Sequence, residues 1–295
     1  MEQIKQRICY DDSVITGIGD DAAVLSSTAD TQLLISTDTL VVNRHFRIED
    51  KAADIGFKSL AVSISDLAAM GATPRWATLN LTLPSIDQNW FNNFTDGFCQ
   101  LLQQHLINLV GGDTTQGPLS ITVTLIGECQ PQHIKRRSDA QAGDLIVVSG
   151  QLGSAAYALQ HADAAAELQA KLHRPQPRLD IAQHITTFAH AVIDVSDGLV
   201  ADLQHICQAS QVGAVIHTEK LPLHQQVKQH PQGLHYALSG GDDYELCFTC
   251  KPSDQSKLPE DCTVIGYITA EHQVHIQNQG KPMTIQRSGF EHFHD

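Results

Sequence analysis

The sequence predicts a two-domain protein of mixed α/β architecture. Its 295 residues exceed the roughly 100 to 200 residues of an ordinary domain. Both halves contain stretches with the period-two alternation of strands and stretches with helical periodicity. A polar segment at 135–143, KRRSDAQAG, separates the two halves. We therefore predict domains at 1–137 and 138–295.

The strands of the first half follow from alternating polarity. Segments 77–83 and 119–126 place apolar side chains on one face and polar side chains on the other. This pattern is typical of antiparallel strands with one buried face. Segment 33–42 predicts a further strand, in which Ser36 and Asp38 share one face and the neighbouring threonines share the other.

Helical periodicity covers 53–70, which Gly71 ends, and 89–106, where aromatic and leucine side chains form an apolar stripe. In the second half, the same criteria predict strands at 144–149, 191–195, 213–218, 244–249 and 263–268, and helices near 153–162 and 198–210.

The charge balance excludes some classes of partner. Nineteen basic residues against 33 acidic residues give a net charge of -14, which argues against binding to nucleic acid or to an anionic membrane surface. No run of 18 apolar residues occurs, and the first residues, MEQIKQRICYDD, lack the apolar core of a signal peptide. Seven cysteines favour free thiols in a reducing compartment. We expect a cytoplasmic protein.

The segment TGIGDDAAV at 16–24 combines glycines with two adjacent carboxylates. Glycines let backbone N–H groups approach a phosphate, but a phosphate-binding P-loop also needs a lysine, where this segment has Asp20 and Asp21. Carboxylates repel a phosphate unless a cation lies between them. The segment therefore predicts a divalent cation, most simply Mg²⁺.

Further carboxylates lie where predicted strands and helices meet loops, as at 107–113, where an apolar strand is predicted to lead into Gly111-Gly112-Asp113. Each has an ordinary explanation as a turn residue or a helix cap, and Asp66 lies on a helical stripe with Ser59 and Ser63. Loops at strand ends are common ligand sites, and carboxylates gathered there would repel one another without metal. The set comprises Asp20, Asp21, Asp38, Asp66, Asp113, Asp194, Asp197, Asp242 and Asp243.

A cluster of divalent cations suits the transfer of a phosphoryl group between two anions. Two negative charges about 4 Å apart cost roughly 4 kcal/mol at an effective dielectric constant of 20, and cations remove that obstacle. The transferred group is metaphosphate-like, so alignment and charge neutralisation dominate catalysis. An acceptor that is already anionic needs no general base.

Eight motifs identify a family when they are taken in order. The chain resembles the thiamine-monophosphate kinase family, in the AIR synthetase-like superfamily, through GIGDDAAV, STDTLV, SLAVSISDLAAMGA, LVGGDTT, RRSDAQAGD, IDVSDGL, LSGGDDYELCF and GFEHF. The resemblance implies a two-domain AIR synthetase-like fold, with an N-terminal mixed sheet that pairs in a homodimer and a C-terminal α/β domain. It also implies that ATP and thiamine monophosphate give ADP and thiamine diphosphate by direct transfer with several Mg²⁺ ions.

The resemblance also assigns roles to residues of this sequence. The implied metal ligands are Asp21, Ser36, Thr37, Asp38, Asp66, Asp113, Asp194 and Asp197. The implied nucleotide contacts are Gly112, Asp113, Arg137 and Ser196, and the implied substrate contacts are His45, Asp242 and Phe290. The implied catalytic residues are Asp38, Asp66, Asp113 and Arg137.

Two departures from the family pattern concern the substrate contacts. The family often has glutamate at the position of Asp242, and a glycine is common before His45, where this chain has Val42-Asn43-Arg44. Three alternative functions remain open: a phosphate-activating synthetase of the same superfamily, a metal-dependent phosphatase, and a non-enzymatic cation-binding protein. Formation of ADP with thiamine diphosphate distinguishes the kinase from the phosphatase.

Overall fold

The computed structural model describes residue 7 and residues 9–18, 22–285 and 289–290. The chain divides into two compact units, one of residues 1–67 and 72–132, the other of residues 68–71 and 133–295. In the part of the chain that the structure describes, no helix has both the length and the apolar character needed to cross a membrane.

The first unit combines strands with two long helices. Its elements, in chain order, are β1 (Val14–Thr16), β2 (Val24–Leu25), β3 (Gln32–Val41), α1 (Ala52–Ala69), β4 (Thr73–Leu83), α2 (Gln88–Gln104), β5 (Asn108–Gln116) and β6 (Ser120–Cys129). The predicted helices at 53–70 and 89–106 and the predicted strands at 33–42, 77–83 and 119–126 are confirmed.

A mixed sheet of the described strands, in the order β3-β6-β4-β5, forms the centre of this unit. Strand β6 pairs antiparallel with both β3 and β4, whereas β4 and β5 are parallel. On β4, Leu79, Leu81 and Leu83 are buried and the residues between them are not, as the alternation predicts. The aromatic stripe of α2, which includes Phe94 and Phe98, is also buried.

Strand β5 differs from the prediction. The sequence suggests that an apolar strand gives way to a loop at Gly111-Gly112-Asp113, yet the strand continues to Gln116. A Cβ atom on Gly112 would lie 2.0 Å from the carbonyl oxygen of Leu79 on β4, and Gly112 has a φ of +143°. Glycine therefore allows a close parallel pairing that a larger residue would prevent.

The second unit has shorter helices around a larger sheet. Its elements are β7 (Leu145–Ser149), α3 (Ser154–Gln160), α4 (Ala166–His173), α5 (Leu179–Ile185), β8 (Val192–Asp194), α6 (Leu199–Ser210), β9 (Gly213–His217), α7 (Gln225–Gln229), α8 (Gly233–Ser239), β10 (Leu246–Cys250), β11 (Cys262–Thr269), β12 (Val274–Asn278) and β13 (Lys281–Met283). The strands and helices predicted for this half are confirmed, with shifts at their ends.

The sheet of this unit has the described strand order β13-β12-β9-β11-β7-β10-β8. Its pairings are antiparallel except for β12 and β9. Helix α6 packs on the sheet through Leu199, Leu203 and Ile206, which belong to the main apolar core. Strand β8 lies at one edge of the sheet. The chain then passes through a short turn into α6.

A buried ion pair fixes the segment that precedes β10. Glu245 is 1% exposed, and its carboxylate accepts two hydrogen bonds from Arg178, both of 2.6 Å, and one from Lys171, of 2.9 Å. Ser149 donates a further hydrogen bond of 2.7 Å. Burial opposes ionisation, but the hydrogen bonds from Arg178 and the charges of Lys171 and Arg178 lower the pKa of Glu245 below its usual value.

Replacing Arg178 with methionine removes two hydrogen bonds and a positive charge from the buried carboxylate of Glu245. We expect the unfolding free energy to fall by about 3 kcal/mol. Adding Glu245→Gln should recover part of that loss, because an amide carries no charge that must be neutralised. Urea unfolding of the wild type, both single variants and the double variant measures the coupling. A double variant no more stable than Arg178→Met would contradict this account.

Candidate active site

Strand β3 and helix α1 bring three of the predicted site residues together in the first unit. Asp38 lies on β3, and Asp66 lies near the end of α1. The hydroxyl of Ser36, on the same face of β3 as Asp38, donates a hydrogen bond to Asp66 Oδ2. The sequence pattern thus places one hydroxyl and two carboxylates on facing elements.

The ionised form of Asp38 is unfavourable in this position. Burial raises the pKa of Asp38 to about 6, and the charge of Asp66 adds to the rise. The Ser63 hydroxyl on α1 partly offsets the rise, but its geometry is too poor for a hydrogen bond, so among the described residues neither the buried Asp38 Oδ2 nor Ser63 Oγ has a hydrogen-bond partner. A divalent cation would neutralise the two carboxylates and give Asp38 Oδ2 a ligand. These residues therefore fit Mg²⁺.

Two other predicted residues near this strand have different surroundings. The hydroxyl of Thr37 lies 3.0 Å from that of Thr124 on β6, so the Thr37 side chain is on the opposite face from Asp38. His45 lies in the turn after β3, and its Nδ1 accepts the backbone N–H of Val41 at 2.9 Å. Any hydrogen bond from His45 to a substrate therefore uses Nε2.

Gly112 and Asp113 lie on β5, at the opposite edge of the sheet from β3. With about 4.8 Å between adjacent strands, Asp38 and Gly112 are roughly 14 Å apart. The structure therefore does not bring Asp113 into the pair formed by Asp38 and Asp66, and the Asp113 carboxylate is exposed. One row of paired residues across the four strands runs through Asp38, Val123, Leu79 and Gly112.

The second unit holds its predicted site residues in the turn between β8 and α6. Asp194 ends β8 and is 3% exposed, while Ser196 and Asp197 are half-buried in the turn that follows. The backbone N–H groups of Ser196, Asp197 and Gly198 all donate to Asp202 Oδ2, each at 3.1 Å. One carboxylate oxygen thus satisfies three successive amides that precede the helix.

Asp202 is itself held in an unfavourable environment. The residue is 2% exposed, in the first turn of α6. Burial and the nearby charge of Asp197 raise the pKa of Asp202 to about 7, although the three backbone N–H groups partly offset the rise.

The carbonyl groups of the same turn bind the two predicted substrate contacts of this unit. The backbone N–H of Asp242 donates to the carbonyl oxygen of Ser196 at 2.7 Å, and that of Phe290 donates to the carbonyl oxygen of Asp197 at 2.9 Å. The Phe290 side chain is 42% exposed. We call residues 196–198 the metal turn, because it carries a predicted metal ligand and contacts both of these segments.

The segment around Asp242 has an unusual backbone. Gly241, Asp242 and Tyr244 all have positive φ angles, of 67°, 64° and 50°. A Cβ atom on Gly241 would lie 2.5 Å from the carbonyl oxygen of Ser196, so glycine is required for this close approach. Positive φ angles at non-glycine residues are costly and persist only where neighbouring contacts impose them.

The side chain of Asp243 is buried and contacts the backbone instead of facing solvent. Its side chain is 4% exposed, and Oδ2 accepts the backbone N–H of Gly153 at 2.8 Å. Burial raises the pKa of Asp243 to about 8. Asp243 therefore carries a proton at neutral pH, unlike an ordinary metal-binding carboxylate.

Arg137 lies in a short 3₁₀ turn, Arg137–Asp139, and its side chain is exposed. Its carbonyl oxygen accepts a hydrogen bond of 2.7 Å from Ser210 at the end of α6. The structure therefore fixes the backbone of Arg137 and leaves its guanidinium group at the surface, where a phosphate is accessible. Asp21, a further predicted metal ligand, lies outside the described residues.

The sequence-based prediction missed Asp202. Two signals could have found it: it follows Asp197 by five residues, and it lies on the same stripe of the predicted helix as Leu199 and Ile206. A carboxylate on an apolar stripe needs hydrogen-bond donors, and the nearest are the amides before the helix.

Comparisons with known proteins agree with this architecture. Residues 19–129 match the model of the AIR synthase related protein, N-terminal domain, and residues 141–278 match that of the C-terminal domain. The thiamine-monophosphate kinase of Haemophilus influenzae is 41% identical over 311 aligned residues, which cover 98% of this chain and 95% of that protein. The chain belongs to the thiamine-monophosphate kinase family.

Solved structures of the thiamine-monophosphate kinase family have the same fold. The crystal structure of the enzyme from Stenotrophomonas maltophilia K279a matches with a TM-score of 0.87 and 42% identity, covering 96% of each chain. A structure of AaThiL complexed with AMPPCP and TMP matches with a TM-score of 0.81 and 32% identity, covering 94% of this chain and 92% of that chain. The predicted two-domain AIR synthetase-like fold is confirmed.

Replacing Asp38 with asparagine removes one of the two facing carboxylates. Without divalent cations, we expect the variant to exceed the wild type in unfolding free energy at pH 7.5 by about 1 to 3 kcal/mol. Because the pKa of Asp38 is higher in the folded chain, the wild type loses stability as the pH rises from 3.8 to about 6. The advantage of the variant should therefore disappear near pH 4.

Urea unfolding in the presence of a chelator, from pH 4 to 8, measures this effect. Asp87→Asn is the control, because Asp87 caps α2 through the N–H groups of Asn89 and Trp90, and asparagine caps helices equally well. An Asp38→Asn variant that is less stable than the wild type at pH 7.5 would contradict the claim that the charges of Asp38 and Asp66 destabilise the folded chain.

Replacing Gly241 with alanine forces a side chain against the metal turn. Gly280→Ala is a matched control, since Gly280 also has a positive φ, of 76°, but no atom lies within 4 Å of a Cβ placed there. We expect Gly241→Ala to lower the unfolding free energy by about 1 to 3 kcal/mol more than Gly280→Ala. Equal losses of unfolding free energy in the two variants, measured by urea unfolding, would show that the contact between Gly241 and the metal turn does not affect stability.

Proposed function

We propose that this chain phosphorylates thiamine monophosphate with ATP and releases thiamine diphosphate and ADP. The observation that carries the proposal is the pair formed by Asp38 and Asp66, with a buried carboxylate oxygen that has no hydrogen-bond partner among the described residues. Relatives at about 40% identity over nearly the whole chain are thiamine-monophosphate kinases. AaThiL, at 32% identity, binds AMPPCP, an ATP analogue, together with TMP.

The reaction joins two anions. A terminal phosphate oxygen of thiamine monophosphate forms a bond to the γ-phosphorus of ATP, and the bond from that phosphorus to the β–γ bridging oxygen breaks, so ADP leaves. The attacking oxygen is already anionic at neutral pH, so no side chain has to remove a proton from it. The protein must instead align the groups and offset their charge.

Carboxylates and hydroxyls provide the proposed cation sites. Asp38 and Asp66 hold a cation on α1 and β3, and Ser36 keeps Asp66 oriented through its hydrogen bond. In the second unit, Asp194 and Asp197 are the proposed ligands. Mg²⁺ bound at such sites would neutralise phosphate charge in the transition state. The further proposed ligands are Asp21, Thr37 and Asp113.

Other residues are proposed to orient the two substrates. Gly112, Asp113, Arg137 and Ser196 contact the nucleotide, and Arg137 has the planar fork that suits phosphate oxygens. His45, Asp242 and Phe290 contact thiamine monophosphate. A carboxylate and an exposed aromatic ring suit the thiazolium cation of that substrate, which supports Asp242 and Phe290.

We also propose a cytoplasmic homodimer in which the sheets of the first units pair, with domains at 1–137 and 138–295. The face of the sheet opposite Asp38 supports the pairing. It carries Thr37 and Thr39, each hydrogen-bonded to a threonine of β6, and the apolar side chains of Leu33 and Ile35, which are 53% and 66% exposed. An apolar patch of this kind is typical of a surface that binds another protein.

The direct test is an assay of the purified chain with ATP, Mg²⁺ and thiamine monophosphate. We expect ADP and thiamine diphosphate in equal amounts, and loss of the activity when a chelator removes divalent cations. Asp38→Asn and Asp66→Asn should each reduce turnover by about 100-fold or more, because each removes a charge at the proposed cation site. Release of free phosphate without thiamine diphosphate would favour a phosphatase and overturn the proposal.

A further inference from the structure

The metal turn is bound on both sides by groups of its own unit. Its three N–H groups point to Asp202 Oδ2, whereas the carbonyl oxygens of Ser196 and Asp197 accept hydrogen bonds from the backbone of Asp242 and Phe290. With both edges of the peptide chain fixed, the direction of the Ser196 and Asp197 side chains is set by the backbone.

Asp202 contacts the backbone of the turn, and its carboxylate also lies within 4.8 Å of the potential ligand atoms of Asp197 and His205. Asp202 Oδ2 lies 3.1 Å from each of three amide nitrogens. An alanine at this position would leave these three N–H groups without their acceptor. A carboxylate near a helix N-terminus is also favoured by the helix dipole. Asp202 therefore places an acceptor oxygen where the three peptide groups need one.

We propose that Asp202 is a positioning residue that holds the metal turn in the geometry required for cation binding. It does so by accepting the N–H groups of Ser196, Asp197 and Gly198. This inference rests on the proposed function, because it assumes that Asp197 and Ser196 serve cation and nucleotide. It adds a residue that acts on the cation through the backbone rather than by direct contact.

The test compares three variants of the full chain. Asp202→Asn keeps the size of the side chain but removes its charge, and Asp202→Ala removes the acceptor. Asp144→Asn is the control, because Asp144 is 3% exposed and its Oδ2 accepts hydrogen bonds from Gln141 N–H and the His190 ring, at 2.9 and 2.8 Å. The hydrogen bonds of Asp144 go to Gln141, His190 and Ile268, which lie outside the metal turn.

The first measurement is amide hydrogen exchange at residues 196–198, which requires no activity. We expect exchange at these three amides to accelerate about tenfold or more in Asp202→Ala, which has no acceptor, with little change in β10 and β11. Asp202→Asn, which keeps an acceptor oxygen, should accelerate exchange less, and Asp144→Asn should leave exchange at 196–198 unchanged. Wild-type exchange at the metal turn in Asp202→Ala would overturn the proposal.

The second measurement is the Mg²⁺ concentration that gives half-maximal formation of ADP. We expect it to rise about 10- to 100-fold in Asp202→Ala and to stay at the wild-type value in Asp144→Asn, because residues that orient metal ligands have effects of this size. A raised Mg²⁺ requirement with unchanged exchange would overturn the proposal, since Asp202 would then act on the cation itself. If the wild type forms no ADP, the proposed function fails, and the exchange rates still decide the role of Asp202.

Discussion

Two ionised carboxylates in a half-buried site repel each other, and the candidate site of this protein depends on that repulsion. Asp38 and Asp66 face each other across β3 and α1, and the Ser36 hydroxyl satisfies only one of their oxygens. In the folded chain the pKa of Asp38 is about 6, so its carboxylate is ionised at neutral pH although the site disfavours the charge. A bound cation would neutralise that charge. A bound cation removes the repulsion between the two carboxylates, so relief of that repulsion contributes to its affinity.

The second unit surrounds two of its buried carboxylates with hydrogen-bond donors of its own. Glu245 is paired with Arg178 and Lys171, and Asp202 with three backbone amides. Asp243 is instead protonated at neutral pH, since burial raises its pKa to about 8. Asp243 Oδ1, like Asp38 Oδ2, has no hydrogen-bond partner among the described residues. Asp38 differs from Asp243 in its lower pKa, of about 6, so it is ionised at neutral pH and suited to hold a cation.

The sequence predicts much of this arrangement because local periodicity decides which side chains share a face. Alternation along β3 placed Ser36 beside Asp38 and put Thr37 on the other face. The length of β5 was not predictable in this way, because it depends on pairing with β4. The separation of Asp113 from Asp38 has the same origin, since strand order across the sheet is not encoded in any single strand. Asp202 was missed for another reason: its partners are backbone amides four to six residues away, and periodicity reports side-chain faces rather than backbone donors. The resemblance of eight motifs supplied the residue roles, which local periodicity could not.

The measurement that tests the central claim most directly is crystallographic. Crystals grown with Mn²⁺, a non-hydrolysable ATP analogue and thiamine monophosphate should show anomalous scattering peaks about 2.1 Å from carboxylate oxygens of Asp38 and Asp66, a distance that suits octahedral oxygen ligation of a small divalent cation. The same crystals should place phosphate oxygens on those ions. Bound nucleotide with no anomalous peak near either carboxylate would contradict the account, because the repulsion between the carboxylates and the phosphates would then be offset by something else.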